Sequence, residues 1–187
     1  MIFDKLKIVM KRSGEALIWH DADGYQWIGT PGCVALASDL PEMGEETLKA
    51  VLSIGDKKRT EYMVRIEEKP IRCLSAEAVH KGCELTEYAL EMRLGGSVYR
   101  VFRTDRPIDG LILIESRMLA PFADAEGGIT MRLVDGCAVV MRGMMPVGAI
   151  APKRIDERIG TDIGEIASLA ELSIAEARTR QMTVPEE

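Results

Sequence analysis

The chain has 187 residues, a net charge of −6, 47% hydrophobic residues and 29% charged residues. These values are ordinary for a soluble globular protein, and the length suits one good core or two small ones. The negative charge argues against nucleic-acid binding over the whole surface but leaves room for a local basic face. No apolar run approaches the roughly 20 residues that span a bilayer, and charges interrupt the apolar N-terminal residues. We therefore expect a cytoplasmic protein with no membrane partner.

The four cysteines, Cys33, Cys73, Cys83 and Cys137, lie far apart in mostly apolar segments. Buried, reduced thiols are the usual state of such residues in a cytoplasmic chain. Cys73, His80 and Cys83 offer potential metal ligands, but no second close cysteine pair completes a zinc spacing. The sequence also lacks a glycine-rich phosphate loop and a nucleophile elbow. We therefore predict no metal, no cofactor and no catalytic residue.

The first predicted helix covers residues 2–12 and has an apolar side and a basic side. Apolar residues recur on one face at helical spacing, namely Ile2, Phe3, Leu6, Val9 and Met10. The opposite side carries Lys5, Lys7, Lys11 and Arg12. Two interpretations of this basic side remain open. It is either a solvated helix surface or a surface that binds nucleic-acid phosphates.

Residues 15–37 are predicted to form three strands, at 15–20, 25–30 and 33–37, joined by turns at 21–24 and 31–32. Asp21 and Asp23 do not make a calcium loop, because the further oxygen ligands and the closing glutamate are missing. Trp19, Tyr25 and Trp27 are expected to pack across strands in the core. The alternative is an exposed aromatic platform, which would form a ligand-binding or enzymatic site together with His20.

The middle of the chain alternates between short helices and strands. A helix is predicted over 45–53, with Leu48, Val51 and Leu52 facing inward. A charged loop at 56–59 follows. Strands are predicted at 62–67, 84–94 and 97–103, and residues 76–80 suggest a short helical turn between the first two.

Residues 109–152 are predicted to form a strand, a short helix and three further strands. The first strand covers 111–114, and Ser116 can cap a helix whose buried side includes Leu119 and Phe122. Asp135-Gly136 is a dipeptide typical of a tight hairpin. The methionines of this segment, Met141, Met144 and Met145, fill gaps in a core or form an adaptable partner surface.

The tail, residues 158–187, is predicted to be a separate region from residues 1–157. A helix over 160–180 carries a narrow apolar stripe, and Leu172 lies nearly opposite that stripe. The helix either docks on its own domain or also contacts a second subunit. Within residues 1–157, a break between two subdomains is possible near 104–108.

A short helix followed by three strands recurs three times, beginning near Ile2, Glu45 and Arg117. This repetition predicts an α+β fold with largely antiparallel sheets. The order of elements in Leu111 to Pro152, LILIESRMLAPFADAEGGITMRLVDGCAVVMRGMMPVGAIAP, is similar to the repeating unit of the DNA sliding-clamp (processivity-factor) fold. The segment EALIWHDADGYQWIGTPGCVALA looks like the same meander after its helix.

The resemblance implies a ring-forming architecture in which helices carry Lys and Arg toward DNA and sheets join subunits edge to edge. Lys5, Lys7, Lys11 and Arg12 match that role. The first functional hypothesis is therefore a non-enzymatic, clamp-like DNA-associated or scaffold protein, from a phage or mobile element, that acts as a homo-oligomer. The alternatives are a protein-interaction module without DNA binding, and a small ligand-binding or enzymatic domain. The site of that domain would lie near Trp19, His20 and Trp27 or in the Cys73–Cys83 loop.

Overall fold

The computed structural model describes residues 3–21, 23–55, 61–68, 71–105, 111–123 and 128–155. Within these ranges the chain has a mixed α+β fold with mostly antiparallel strands, which confirms that part of the predicted fold class. The helices are α1 (Phe3–Ser13), α2 (Glu45–Val51), α3 (Ala76–Lys81) and α4 (Ser116–Leu119), with single 3₁₀ turns η1 (Arg72–Leu74) and η2 (Ala120–Phe122). The predicted helix at 160–180, the boundary at 157–158 and the loop at 56–59 lie outside the described residues.

Twelve strands are present in the same ranges. They are β1 (Glu15–His20), β2 (Gln26–Thr30), β3 (Cys33–Leu36), β4 (Met63–Glu67), β5 (Cys83–Glu84), β6 (Thr86–Leu94), β7 (Ser97–Arg103), β8 (Leu111–Glu115), β9 (Thr130–Val134), β10 (Cys137–Arg142), β11 (Met145–Ile150) and β12 (Lys153–Arg154). Eight strands form one sheet in the order β4-β1-β2-β3-β11-β10-β9-β5, and four form a second sheet in the order β12-β8-β7-β6. All the pairs are antiparallel except β1 and β4, which run parallel.

The eight-stranded sheet joins two meanders, β1-β2-β3 and β9-β10-β11, through the pairing of β3 with β11. The third strand of each meander, β3 or β11, therefore lies at the centre of the sheet. Outward from the centre, each meander continues with its second strand and then its first. A helix precedes each meander, α1 before β1 and α4 with η2 before β9. Because α1 contacts both α4 and η2, the two helical segments are neighbours.

The middle of the chain corrects the prediction of three equivalent units. After α2, the chain forms β4, which pairs in parallel with β1, and then η1 and α3 before β5. β5 lies at the far end of the same sheet, whereas β6 and β7 belong to the four-stranded sheet. Two parallel strands cannot be joined by a tight turn, since they require a crossover connection. Alternating residues therefore predicted the strands here but not their partners.

The main core lies between the eight-stranded sheet, the helices and one face of the four-stranded sheet. Leu6, Val9 and Met10 of α1 are buried in it, as their spacing predicts. The hydroxyl group of Tyr62 donates a hydrogen bond to the backbone oxygen of Met10 at 3.0 Å. This bond ties the last turn of α1 to the segment that enters β4, and the same oxygen also accepts the backbone N–H of Gly14 at 3.2 Å.

Phe122 of η2 packs directly over Gly148 of β11, at the centre of the eight-stranded sheet. A Cβ atom at position 148 would overlap the Phe122 ring and would lie 2.8 Å from the backbone oxygen of Val34. Glycine is therefore the residue that lets η2 approach the β3–β11 pair so closely. This contact holds the second helical segment against the sheet.

A second apolar cluster covers the opposite face of the eight-stranded sheet. It includes Cys73 of η1, Val79 of α3, and Val139 and Met141 of β10. A third cluster lies on the four-stranded sheet around Tyr88, Tyr99, Val101, Leu111 and Leu113. The eight-stranded sheet is thus packed on both faces, with α1 and α4 on the side of the main core and η1 and α3 on the other.

Candidate functional site

The basic side of α1, formed by Lys5, Lys7, Lys11 and Arg12, is the first candidate site. Lys5, Lys11 and Arg12 are exposed, and none of them forms an ion pair with another described residue. Lys7 differs, because its Nζ atom lies 2.6 Å from Oδ1 of Asp4. This ion pair holds the pKa of Asp4 below its ordinary value. Three of the four predicted cations are therefore available to an anionic partner, and Lys7 is engaged.

The available cations on α1 are spread along the helix. The step from Lys5 to Arg12 is seven residues, or about 10 Å of helix axis. Duplex DNA carries one negative charge per roughly 1.7 Å of its axis, so this spacing extends over several phosphates. Ile8 lies between the cations and is 53% exposed. The surface is thus a short basic strip with one apolar residue in its middle.

The other two helices of the main core do not add unpaired cations. In α2, the ammonium group of Lys49 lies 2.7 Å from Glu45, and Glu46 is also acidic. In α4, the guanidinium group of Arg117 lies 2.8 Å from the carboxylate of Glu115. Within the described parts of α1, α2 and α4, the basic strip is therefore confined to α1.

The second candidate site is a groove on the opposite face of the eight-stranded sheet, with a volume of about 1390 Å³. Its walls come from the β1–β2 hairpin, the η1–α3 segment and the β10–β11 hairpin. Its lining includes Trp19, His20, Trp27, Leu74, His80 and Met145. The structure thus brings together the two predicted locations of a ligand site, the aromatic residues with His20 and the Cys73–Cys83 loop with His80, and it adds the methionine segment to them.

Asp21 organises the turn at one end of the groove. Its Oδ1 atom accepts hydrogen bonds from the backbone nitrogens of Asp23, at 3.1 Å, and Tyr25, at 2.8 Å. Its Oδ2 atom accepts a bond from Nε1 of Trp27 at 3.0 Å. Both carboxylate oxygens therefore stabilise the hairpin, which agrees with a turn in place of a calcium loop.

Some of the aromatic residues and methionines at the groove are exposed, which corrects two expectations. Trp27 is 5% exposed, but Tyr25 is 46% exposed because it lies at the turn rather than on the paired part of the hairpin. Met141 is buried, whereas Met144 and Met145 are 96% and 54% exposed. The last two lie at the tip of the β10–β11 hairpin, where no other described element covers them, so core filling is the wrong interpretation for them.

The thiols form a third group of chemically interesting residues. All four cysteines are free, and Cys33, Cys73 and Cys83 are buried, as expected. Cys137 is only partly buried and packs against the apolar cluster that contains Cys73. The interaction with the Cys73 thiol lowers the pKa of Cys137 to about 7. No sequence signal could have revealed this contact, because the two residues belong to separate apolar segments far apart in the chain. Sequence reasoning had instead grouped Cys73 with His80 and Cys83.

Two absences apply to the part of the chain that the structure describes. No group of three His, Cys, Asp or Glu side chains is close enough there to hold a metal ion. No helix in those ranges is long and apolar enough to cross a membrane. Comparisons of the chain with protein-family models, with curated proteins and with solved structures found no match.

Proposed function

We propose that the protein is a non-enzymatic, clamp-like scaffold that assembles as an oligomer and associates with DNA through the basic side of α1. The observation that carries this proposal is the pairing of β3 with β11. This pairing joins two helix-plus-meander units into one sheet and makes their helices neighbours on the side of the main core. The sliding-clamp resemblance implies helices toward DNA and sheets outward; here α1 and α4 share one face of the sheet, and η1 and α3 cover part of the other.

Charge supports α1 as the element that would face DNA. Lys5, Lys11 and Arg12 point three unpaired cations to solvent in a protein with a net charge of −6. Three phosphate contacts give a slope of about −2.7 when the logarithm of the association constant is plotted against log salt, which is roughly a 40-fold loss of affinity from about 50 to 200 mM. One subunit would therefore bind weakly. An oligomer that presents several α1 helices to one duplex would gain affinity by multivalency.

The DNA part of the proposal is tested by fluorescence anisotropy with a duplex at several salt concentrations. The variant Lys5→Ala with Lys11→Ala removes two of three contacts, so the slope should fall to about −0.9 per subunit. The control is Lys81→Ala with Arg142→Ala, which removes the same amount of charge from α3 and β10. The salt dependence of its DNA binding should stay close to that of the wild type. Equal loss in both variants, or no binding by the wild type at low salt, would remove DNA binding by α1 from the proposal.

The assembly part is tested separately by the solution mass of the full chain, measured by sedimentation equilibrium. The end strands of the eight-stranded sheet, β4 and β5, have one unpaired edge each within the sheet. Unpaired strand edges are natural sites for pairing between chains. A mass above that of one chain, increasing with protein concentration, would support assembly. A monomer at all accessible concentrations would end the assembly part, whatever the result with DNA.

The groove favours a second candidate function, the binding of an apolar ligand. Its volume is somewhat larger than the roughly 300–1,000 Å³ of most small-molecule sites, and it combines apolar walls with polar side chains. Met145→Glu at its rim should abolish thermal stabilisation by any compound found in a ligand screen. Met63→Glu is the matched control, since Met63 is 51% exposed on β4, outside the groove lining. Compounds that stabilise both variants equally do not bind in the groove.

A further inference from the structure

A pair of cysteines connects η1 to the eight-stranded sheet. Cys73 is the middle residue of η1, and Cys137 is the first residue of β10. η1 packs against β10 and β11, and Cys137 packs against the apolar cluster that contains Cys73. The surrounding cluster is apolar and includes Val79, Val134 and Val139. Two reduced cysteines therefore lie in one packed cluster, on two elements that contact each other.

The two thiols differ in exposure and in pKa, so that one can react first with a reagent from solvent and the other can react second. Cys73 is only 4% exposed, whereas Cys137 is partly exposed. The interaction with the Cys73 thiol stabilises the thiolate of Cys137 and lowers its pKa to about 7. The same interaction, together with burial, holds the pKa of Cys73 above its ordinary value. Cys137 is thus the accessible nucleophile, and Cys73 is a neighbour that can react only with Cys137.

We propose that Cys73 and Cys137 form an oxidisable dithiol that hydroperoxides convert into an intramolecular disulfide. The Cys137 thiolate attacks one peroxide oxygen, the O–O bond breaks, and the other oxygen leaves as water or an alcohol after taking a proton. Cys137 is then a sulfenic acid. The Cys73 sulfur attacks it, the S–S bond forms, the S–O bond breaks, and the departing hydroxide takes the Cys73 proton. In total, two thiols are oxidised by two electrons and one peroxide is reduced.

The other two cysteines lack these features. Cys33 is 1% exposed, and burial raises its pKa to about 12. Its thiol donates a hydrogen bond to the backbone oxygen of Met118, at 3.6 Å. Cys83 is 8% exposed at the far end of the sheet, and no described thiol partners it. The proposed oxidation is therefore selective for one pair among the four cysteines.

The disulfide would cross-link one wall of the groove to the sheet beneath it. η1 and α3 form that wall, and packing holds η1 to β10 in the reduced protein. A covalent link closes a long loop of the chain and raises the cost of separating this wall from β10. The oxidised protein should therefore have a higher unfolding midpoint than the reduced protein.

The experiment treats the full, reduced chain with hydrogen peroxide and counts free thiols with a chromogenic disulfide reagent after denaturation. Titratable thiols should fall from four to two, and a non-reducing peptide map should show one cross-link, between Cys73 and Cys137. In Cys83→Ser the cross-link should still form. In Cys73→Ser, Cys137 should stop at the sulfenic acid, which dimedone traps.

Three results would overturn the proposal. One is the retention of all four thiols at peroxide concentrations that oxidise free cysteine. Another is a cross-link that maps to Cys33 or Cys83, or that joins two chains. The third is an unchanged rate of peroxide consumption in Cys137→Ser. Cys137→Ser keeps the proposal testable if Cys73→Ser fails to fold. Cys137 is partly exposed, so its replacement by serine should disturb the core less than replacement of the buried Cys73.

Discussion

Replacement of Gly148 by alanine tests the packing of η2 against the centre of the eight-stranded sheet. The new methyl group would overlap the Phe122 ring and would lie 2.8 Å from the Val34 oxygen. Phe122 is 3% exposed and Gly148 is buried, so neither has free space into which it can move. Overpacking of this kind costs about 1–3 kcal/mol. Because backbone as well as ring atoms are in the way, we expect about 2 to 3 kcal/mol for Gly148→Ala.

The assay is urea denaturation followed by circular dichroism, with Gly55→Ala as the control. A Cβ atom at position 55 would meet no atom within 4 Å, so that substitution should be neutral or slightly stabilising. A second test combines Gly148→Ala with Phe122→Leu, which removes part of the ring. If the ring is the obstacle, the double variant should be at least about 1 kcal/mol more stable than the sum of the single effects predicts. Additive effects, or a neutral Gly148→Ala, would refute the close packing.

Three further substitutions test local interactions. Tyr62→Phe removes the hydrogen bond to the end of α1 and should cost about 1 kcal/mol of unfolding free energy in urea denaturation; no loss would show that the bond is not stabilising. Asp21→Ala removes three hydrogen bonds and should shift the fluorescence of Trp27 to longer wavelength; an unchanged spectrum would contradict its role in the turn. Alkylation of Cys137 should rise with pH through a midpoint near 7, because the thiolate reacts. Cys73→Ala should move that midpoint upward, and an unmoved midpoint would remove Cys73 as the cause.

Residue spacing alone was enough to predict the elements whose partners are close in sequence. In α1, Leu6, Val9 and Met10 recur at helical spacing, and the structure buries all three. Asp135-Gly136 forms the expected tight turn, with φ angles of 48° and 83°, and Cys137 pairs with Val134 across it. Such turns require residues that tolerate positive φ, so the sequence carries their signal locally.

Spacing could not predict contacts between distant segments. The alternation in β4 marks a strand, but nothing within 63–67 specifies a parallel partner in β1. The contact between Cys73 and Cys137 depends on how η1 packs, which no local pattern encodes. The basic side of α1 is an intermediate case. Its four cations were found by spacing, but the pairing of Lys7 with Asp4 depends on side-chain conformation.

The pairing of β3 with β11 has a consequence for how the chain folds. It joins residues 33–36 to residues 145–150, whereas each meander is held by short hairpins between neighbouring strands. Closing so long a loop is entropically costly, and contacts between distant residues slow folding. We expect the hairpins to form early and the central pairing to form late, so that substitutions such as Gly148→Ala mainly accelerate unfolding. During synthesis, β3 would then wait with one edge unpaired until more than a hundred further residues had been added.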